Sequence, residues 1–158
     1  IRPGFKSNLF TIYKFRTMKR IENKNLSPHD QSRLNLFGKI LRRTSLDEIP
    51  QIFNVFLGDM SFIGPRPLLE EYLDLYSPDQ MKRHKVKPGI SGWAQVNGRN
   101  SLSWNEKFKM DNWYVENQDF FLDLKIILLT IVKILRSNGI DSSNQLTSIP
   151  FKGNKNDS

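Results

Sequence analysis

The sequence predicts a mainly helical α+β domain: a compact single unit with amphipathic interfacial helices and a few short strands. Three observations predict it. Apolar residues recur at helical spacing in stretches near 34–41, 50–57 and 120–136. Capping patterns open several of the helical runs. The strand-like runs are short and bounded by Gly, Pro and Asn-Gly turns. The chain has 158 residues, the length of one domain. A chain of ~150 residues buries roughly two-thirds of its unfolded surface, so a core forms without covalent staples.

Residues 9–18 (LFTIYKFRTM) mix β-branched, aromatic and charged residues and read as a strand or extended segment. Residues 19–32, polar and carrying Pro28, read as a loop. From Arg33 to Arg43 the pattern is helical. Leu34, Leu36, Phe37, Ile40 and Leu41 share one side; Asn35, Lys39, Arg42 and Arg43 share the other. Two readings fit such a basic amphipathic helix: a surface helix packed on a core, or one lying in a lipid headgroup layer. Ser45 with Glu48 three residues later is a capping-box pattern. Pro50 belongs early in the helix that follows, and Gly58 is its expected stop. Gly64-Pro65-Arg66-Pro67 is a stiff turn. A short helix is expected from Leu68 to Tyr76, and Ser77-Pro78-Asp79-Gln80 opens another. In residues 86–100, turn signals surround a short strand. Ser103 and Glu106 open a capped helix carrying Trp104, Phe108 and Trp113. The last helix is expected from Phe120 to Arg136, ending near Gly139. Apolar around most of its circumference, it is buried or faces both core and lipid. The tail from Phe151 to Ser158 is expected to fray.

Charge narrows the partners. The net charge is +8, yet residues 1–43 hold eleven Lys/Arg against two Asp/Glu, and the remainder is close to neutral. A uniformly basic nucleic-acid coat is disfavoured, and a local anion-facing surface is favoured. The absence of cysteine excludes a disulfide scaffold, a thiolate zinc site and a Cys nucleophile. Lys125 and Lys133 interrupt the most apolar stretch, far short of the ~20 apolar residues a spanning helix needs. The chain begins with Ile1, and its first residues read as the interior of a domain. It is therefore expected to be a fragment or a processed product, which leaves open a membrane segment upstream.

Asp47-Glu48 is the sharpest chemical feature. Carboxylates at a helix start sit beside free N–H groups and the positive end of the dipole. There they could bind a hard cation, attack a phosphoryl group or take a proton; equally, Glu48 could simply close the capping box. Arg42 and Arg43 precede the pair. Arg66, between two prolines, and Arg99, after the Asn97-Gly98 turn, are candidate phosphate readers, or ordinary surface charges. His29 and His84 are isolated and read as structural or solvated. Trp93, Trp104 and Trp113 could stack on a base or lie at a membrane interface, with core packing expected for at least one. No P-loop, dinucleotide-binding or nucleophile-elbow motif is present. Spacing alone leads to an anion-handling surface with a carboxylate pair.

The runs YKFRTM (13–18), LRRTSLDEIPQIFNVFLGDMSFIGPRP (41–67), RHKVKPGISGWAQVNGRN (83–100) and FFLDLKIILLTIVKIL (120–135) closely resemble the bacterial sugar transferases, the monotopic phosphoglycosyl transferases of cell-envelope glycan assembly. The resemblance covers roughly residues 10 to 140. It implies transfer of a sugar-1-phosphate from a nucleotide sugar, usually UDP-linked, to a polyprenyl phosphate at the cytoplasmic face of the bacterial inner membrane. UMP is released and Mg2+ is required. By the same resemblance Asp47 is the nucleophile that forms a covalent phosphosugar intermediate, Glu48 supports the Mg2+, and Arg42, Arg66 and Arg99 bind phosphates or position the nucleotide. Residues 1–141 are then the catalytic domain and 142–158 a polar tail similar to that of the small members acting on acetamido sugars. Family members carry an upstream hydrophobic helix that enters the membrane and turns back; this chain starts too late to contain it. The implied partners are a nucleotide sugar, polyprenyl phosphate and the anionic membrane surface, with no nucleic acid. The alternative is a non-enzymatic module binding anionic lipid or nucleic acid through the basic N-terminal surface. It gives the Asp-Glu pair and the Arg-Pro turn no task.

Overall fold

The computed structural model describes residues 1–18, 36–98, 101–136 and 150–153. The expected loop at 19–32, the residues around Arg33 and the stop at Gly139 lie outside them. Two short strands, β1 (Arg2–Pro3) and β2 (Leu9–Phe10), pair antiparallel with Arg2 opposite Phe10. Beyond Phe10 the expected strand does not continue: residues 11–17 carry no ladder. Their anchors are side-chain and turn contacts. Asn54, fully buried, accepts from the Tyr13 N–H (3.0 Å) and donates to the Thr11 carbonyl (2.7 Å).

The helical prediction for the next stretch is met by α1 (Leu36–Thr44) and α2 (Gln51–Phe56), joined through a 3-10 turn at Leu46–Glu48. Pro50 stands immediately before α2, where its missing N–H costs nothing. Gly58 ends this region at φ 85°, a left-handed conformation suited to a residue without Cβ.

Strand β3 (Ser61–Ile63) pairs in parallel with β4 (Gly89–Ser91), Ser61 opposite Gly89 and Ile63 opposite Ser91. The main chains cross tightly here. A Cβ on Gly64 would stand 2.4 Å from the Lys87 carbonyl oxygen, and one on Gly92 would stand 2.2 Å from that of Gly64. Between the strands, the helices expected at 68–76 and from Ser77 are 3-10 segments, Glu70–Leu75 and Gln80–Lys85. Ser77 and Gln80 exchange hydrogen bonds between side chains and N–H groups, at 3.2 and 2.9 Å, which fixes the second start. The turn-rich stretch after β4 contains a short helix, α3 (Trp93–Asn97), that the pattern did not predict.

Helix α4 (Trp104–Asn117) opens on the capping box expected at Ser103 and Glu106, with both reciprocal bonds made. Helix α5 spans Phe120–Arg136, the range the sequence predicts. Ile126 is fully buried with Ile63, Val96 and Tyr114. Phe120, Phe121, Leu128 and Leu135 are well exposed, so α5 gives one stripe to the core and presents apolar side chains outward. Among the described residues no helix is long and apolar enough to cross a membrane.

A second core unites Tyr72, Phe108 and Phe151, with Tyr76 and Trp104 packed against it. This corrects the expectation of a fraying tail at Phe151. Its side chain is buried, its N–H donates to the Tyr72 hydroxyl at 3.1 Å, and its ring lies 5.2 Å from that of Phe108. One aromatic residue with a large apolar area outweighs its polar neighbours.

Candidate functional site

The site is built on the link between α1 and α2. Ser45 takes a left-handed conformation (φ 58°) and makes no side-chain cap bond. The capping box expected between Ser45 and Glu48 is therefore absent, and their contact is the backbone 3-10 bond from the Glu48 N–H to the Ser45 carbonyl (3.2 Å). The tight turn leaves Asp47 only 6% exposed. The segment that precedes α1 closes over it: the Phe15 N–H donates to the Asp47 carbonyl at 3.0 Å.

Glu48 faces Arg66 instead of the helix start. Arg66 Nη1 donates to Glu48 Oε2 at 3.1 Å, and Nη2 contacts Oε1, a two-point grip of the kind a guanidinium fork makes. Loss of solvent works against the Arg66 charge. The Glu48 carboxylate, its hydrogen bonds and the charge of Asp47 outweigh that and hold the guanidinium above its ordinary range. Arg66 itself rides on the turn after β3. That turn is held by its carbonyls: Pro65 O accepts from the Gly89 N–H at 3.1 Å, and Arg66 O accepts from Arg83 Nη2 at 2.6 Å.

Three of the five residues singled out from the sequence, Asp47, Glu48 and Arg66, thus come together. Arg42 lies in the last turn of α1, two residues before its end at Thr44; its side chain lies outside the described residues, as does Arg99. Residues the sequence reading passed over also shape the site: Phe15 and Asn54 hold the segment across Asp47, and Arg83 holds Arg66. No local pattern marks such long-range main-chain contacts. The nearest signal is Asp111, an acid among the buried α4 positions Phe108, Asn112 and Tyr114.

His84 is structural, as expected. Its Nδ1–H donates to the Gly4 carbonyl at 3.0 Å, and burial, helped by the neighbouring Arg83 charge, pushes it down to about 4. Trp104 packs in the aromatic core, while Trp93 and Trp113 stack on each other at 5.0 Å.

Among the described residues there is no cluster of three or more potential metal ligands. Two adjacent carboxylates are what the site offers. That suits a hard cation taking one or two carboxylates and filling its shell with water and substrate phosphate oxygens.

Comparison with known proteins points the same way. The family model described as bacterial sugar transferase matches residues 1–137. The chain is 54% identical over 155 residues to the uncharacterized sugar transferase EpsL of Bacillus subtilis, covering 97% of this chain and 76% of that protein. It is 36% identical over 156 residues to the undecaprenyl-phosphate galactose phosphotransferase of Salmonella typhimurium, covering 87% of this chain and 33% of that protein. Against the UDP-glucose:undecaprenyl-phosphate glucose-1-phosphate transferase of Escherichia coli it is 41% identical over 144 residues, covering 84% of this chain and 31% of that protein. It therefore spans about three quarters of the Bacillus relative and about a third of the other two. The motifs, the carboxylate pair gripped by an arginine and these similarities agree: the chain belongs to the bacterial sugar transferase family.

Proposed function

We propose that this chain transfers a sugar-1-phosphate from a UDP-sugar to a polyprenyl phosphate at the cytoplasmic face of the membrane. The observation that carries the reading is the cluster formed by buried Asp47 and its neighbour Glu48, on the turn between α1 and α2, with Arg66 reaching Glu48 from the turn after β3. It fits a two-step displacement. A carboxylate oxygen of Asp47 attacks the sugar-linked phosphorus; the bond to the bridging oxygen breaks, and UMP leaves with that electron pair. An oxygen of the polyprenyl phosphate then attacks the same phosphorus and expels the Asp47 carboxylate, giving the polyprenyl diphosphosugar. Splitting the transfer lets one site serve a soluble donor and a lipid acceptor in turn.

Charge on the phosphate oxygens has to be offset as each bond forms. Glu48, with Asp47, would hold a Mg2+, which supplies part of that neutralisation when bound. Arg66 holds Glu48 in register and adds positive charge. Arg42 and Arg99 are assigned to phosphate or nucleotide binding by their motif positions. Residues 1–141 carry the chemistry, followed by the tail 142–158.

Membrane attachment belongs to the same reading. Consecutive elements leave bulky apolar side chains in the open: Phe37 on α1 is 67% exposed, and Phe53 and Phe56 on α2 are 67% and 81% exposed. The basic positions of α1 favour an anionic lipid surface. A non-enzymatic anion-binding module would give the Asp47–Glu48–Arg66 cluster no task.

The test is direct. The chain, expressed with any residues its gene encodes before Ile1, is incubated with Mg2+ and UDP-glucose, UDP-galactose or a UDP-acetamido sugar. A phosphosugar adduct on Asp47 and UMP release are expected with one donor, and Asp47→Asn loses both. Normal turnover by folded Asp47→Asn protein would overturn the nucleophile.

A further inference from the structure

The turn that carries Arg66 has an unusual weakness. Pro65 and Pro67 have no N–H groups, so the turn gives up two donors that could tie it down. At its start the Gly64 N–H donates to the Ser91 carbonyl at 2.9 Å; beyond that the turn is held through acceptors, and the acceptor nearest the chemistry is the Arg66 carbonyl. Its partner is Arg83 Nη2 at 2.6 Å. The same nitrogen lies 2.8 Å from Asp111 Oδ2 on α4, and Nη1 donates to the Tyr76 hydroxyl at 3.2 Å. The guanidinium lies 5.6 Å from the Phe108 ring centre and 5.9 Å from that of Tyr76. Both ionic side chains are sealed, Arg83 at 2% exposure and Asp111 at 6%.

A buried ion pair is a poor device for stability, because an apolar pair of similar volume does as well or better. An apolar pair cannot, however, donate to the Arg66 carbonyl. We infer that Arg83, held by Asp111, is a positioning residue for the transfer: it fixes the Arg66 main chain and thereby the fork that orients Glu48. The inference rests on the sugar-phosphate transfer reading and deepens it. A connected line then runs from α4 to the site, through Asp111, Arg83, Arg66 and Glu48. None of its first two members needs to touch substrate.

The test is a double-mutant cycle on UMP release. Arg83→Lys keeps the charge but has no planar fork to reach Asp111, Tyr76 and Arg66 together. Arg66→Lys is the second arm. Each single variant is expected to lose roughly tenfold or more in kcat/KM, and the double variant no more than the worse single, because groups acting as a unit are non-additive. Should Arg83→Lys fold poorly by melting temperature, the near-isosteric Asp111→Asn replaces it in the cycle. Fully additive losses, or an unchanged rate in a folded variant, would overturn the positioning role.

A second readout needs no catalysis. The Arg66 Nη–H resonances, identified by their absence in Arg66→Lys, are expected to exchange slowly with water while Glu48 is gripped. They should become as fast as those of a free arginine in Asp111→Asn. Resonances that do not respond would count against the inference even in an active enzyme. A parent chain that releases no UMP but whose Arg66 resonances respond would sink the transfer reading and leave the positioning intact.

Discussion

The Phe15 N–H donates to the Asp47 carbonyl at 3.0 Å, so the segment before α1 is bonded to the residue assigned the chemistry. The segment has no strand partner at this point; Asn54 bonds to it at Thr11 and Tyr13. Asn54→Ala removes the buried partner of the Tyr13 N–H and the Thr11 carbonyl, which lie on exposed residues. A loss of roughly 1–3 kcal/mol in urea unfolding is expected for two lost hydrogen bonds. Asn54→Asp keeps an acceptor for Tyr13 but loses the donor for Thr11 and sets a carboxylate near Asp59. It should be at least as damaging, and UMP release should fall with it.

Arg66 grips Glu48 with two nitrogens, and the second point is what lysine lacks. Arg66→Lys is expected to lower kcat/KM roughly 10–100-fold, the value of one charge-assisted bond of about 1.5–3 kcal/mol. Melting temperature should change little, since the Arg66 side chain is half-exposed. A Lys variant with full activity would show that charge at this position suffices.

Two buried groups tilt stability against pH in opposite directions. Burial, only partly offset by Arg83 and Lys107, pushes Asp111 up from 3.8 to about 6. Its contribution is therefore complete below pH 3.8 and lost as pH rises through 6. His84 is pushed down from 6.5 to about 4, so its contribution is complete above pH 6.5 and lost as pH falls through 4. Between pH 4 and 6 the two oppose each other in the parent chain. Relative to the parent, Asp111→Asn should lose stability as pH falls across this window, and His84→Gln should gain it. Each tilt is expected at about 1–2 kcal/mol after solvent screening, read as slopes from thermal melts at several pH values.

Phe151 ties the C-terminal part of the chain to the aromatic core. Its ring lies 5.5 Å from Trp104 and 5.7 Å from Tyr72. Phe151→Ala should cost about 3–5 kcal/mol, as for other buried aromatics reduced to alanine, while Phe151→Leu should recover part of it. Denaturant midpoints distinguish the two.

What the sequence made legible was local. Ser103 and Glu106 cap α4 as their spacing implied, and α5 has its expected bounds, because neighbours in sequence decide both. The same serine-to-glutamate spacing at Ser45 and Glu48 misled, because Arg66, remote in sequence, takes the Glu48 carboxylate and Ser45 turns left-handed. The extended segment at 11–17 was legible as extended; that Asn54 would bond to it at Thr11 and Tyr13 was not. The Asp-Glu pair and Arg66 were legible as candidates, and their contact with each other was not. Arg83 opens one of the runs that carry the resemblance, yet its task was not legible there, since its partners Asp111, Tyr76 and Arg66 come from three other segments.

The crossing of Gly64, Gly89 and Gly92 brings main chain against main chain, with the Gln95 side-chain oxygen alongside Gly92. Its dimensions are set largely by main-chain contact and hydrogen bonding, the Gly64 N–H to the Ser91 carbonyl at 2.9 Å and the Gly89 N–H to the Pro65 carbonyl at 3.1 Å. The spacing between the arginine turn and the strand beside it is thus a fixed ruler. A side chain added at any of the three glycines would have to push those main chains apart, and with them the turn that carries Arg66.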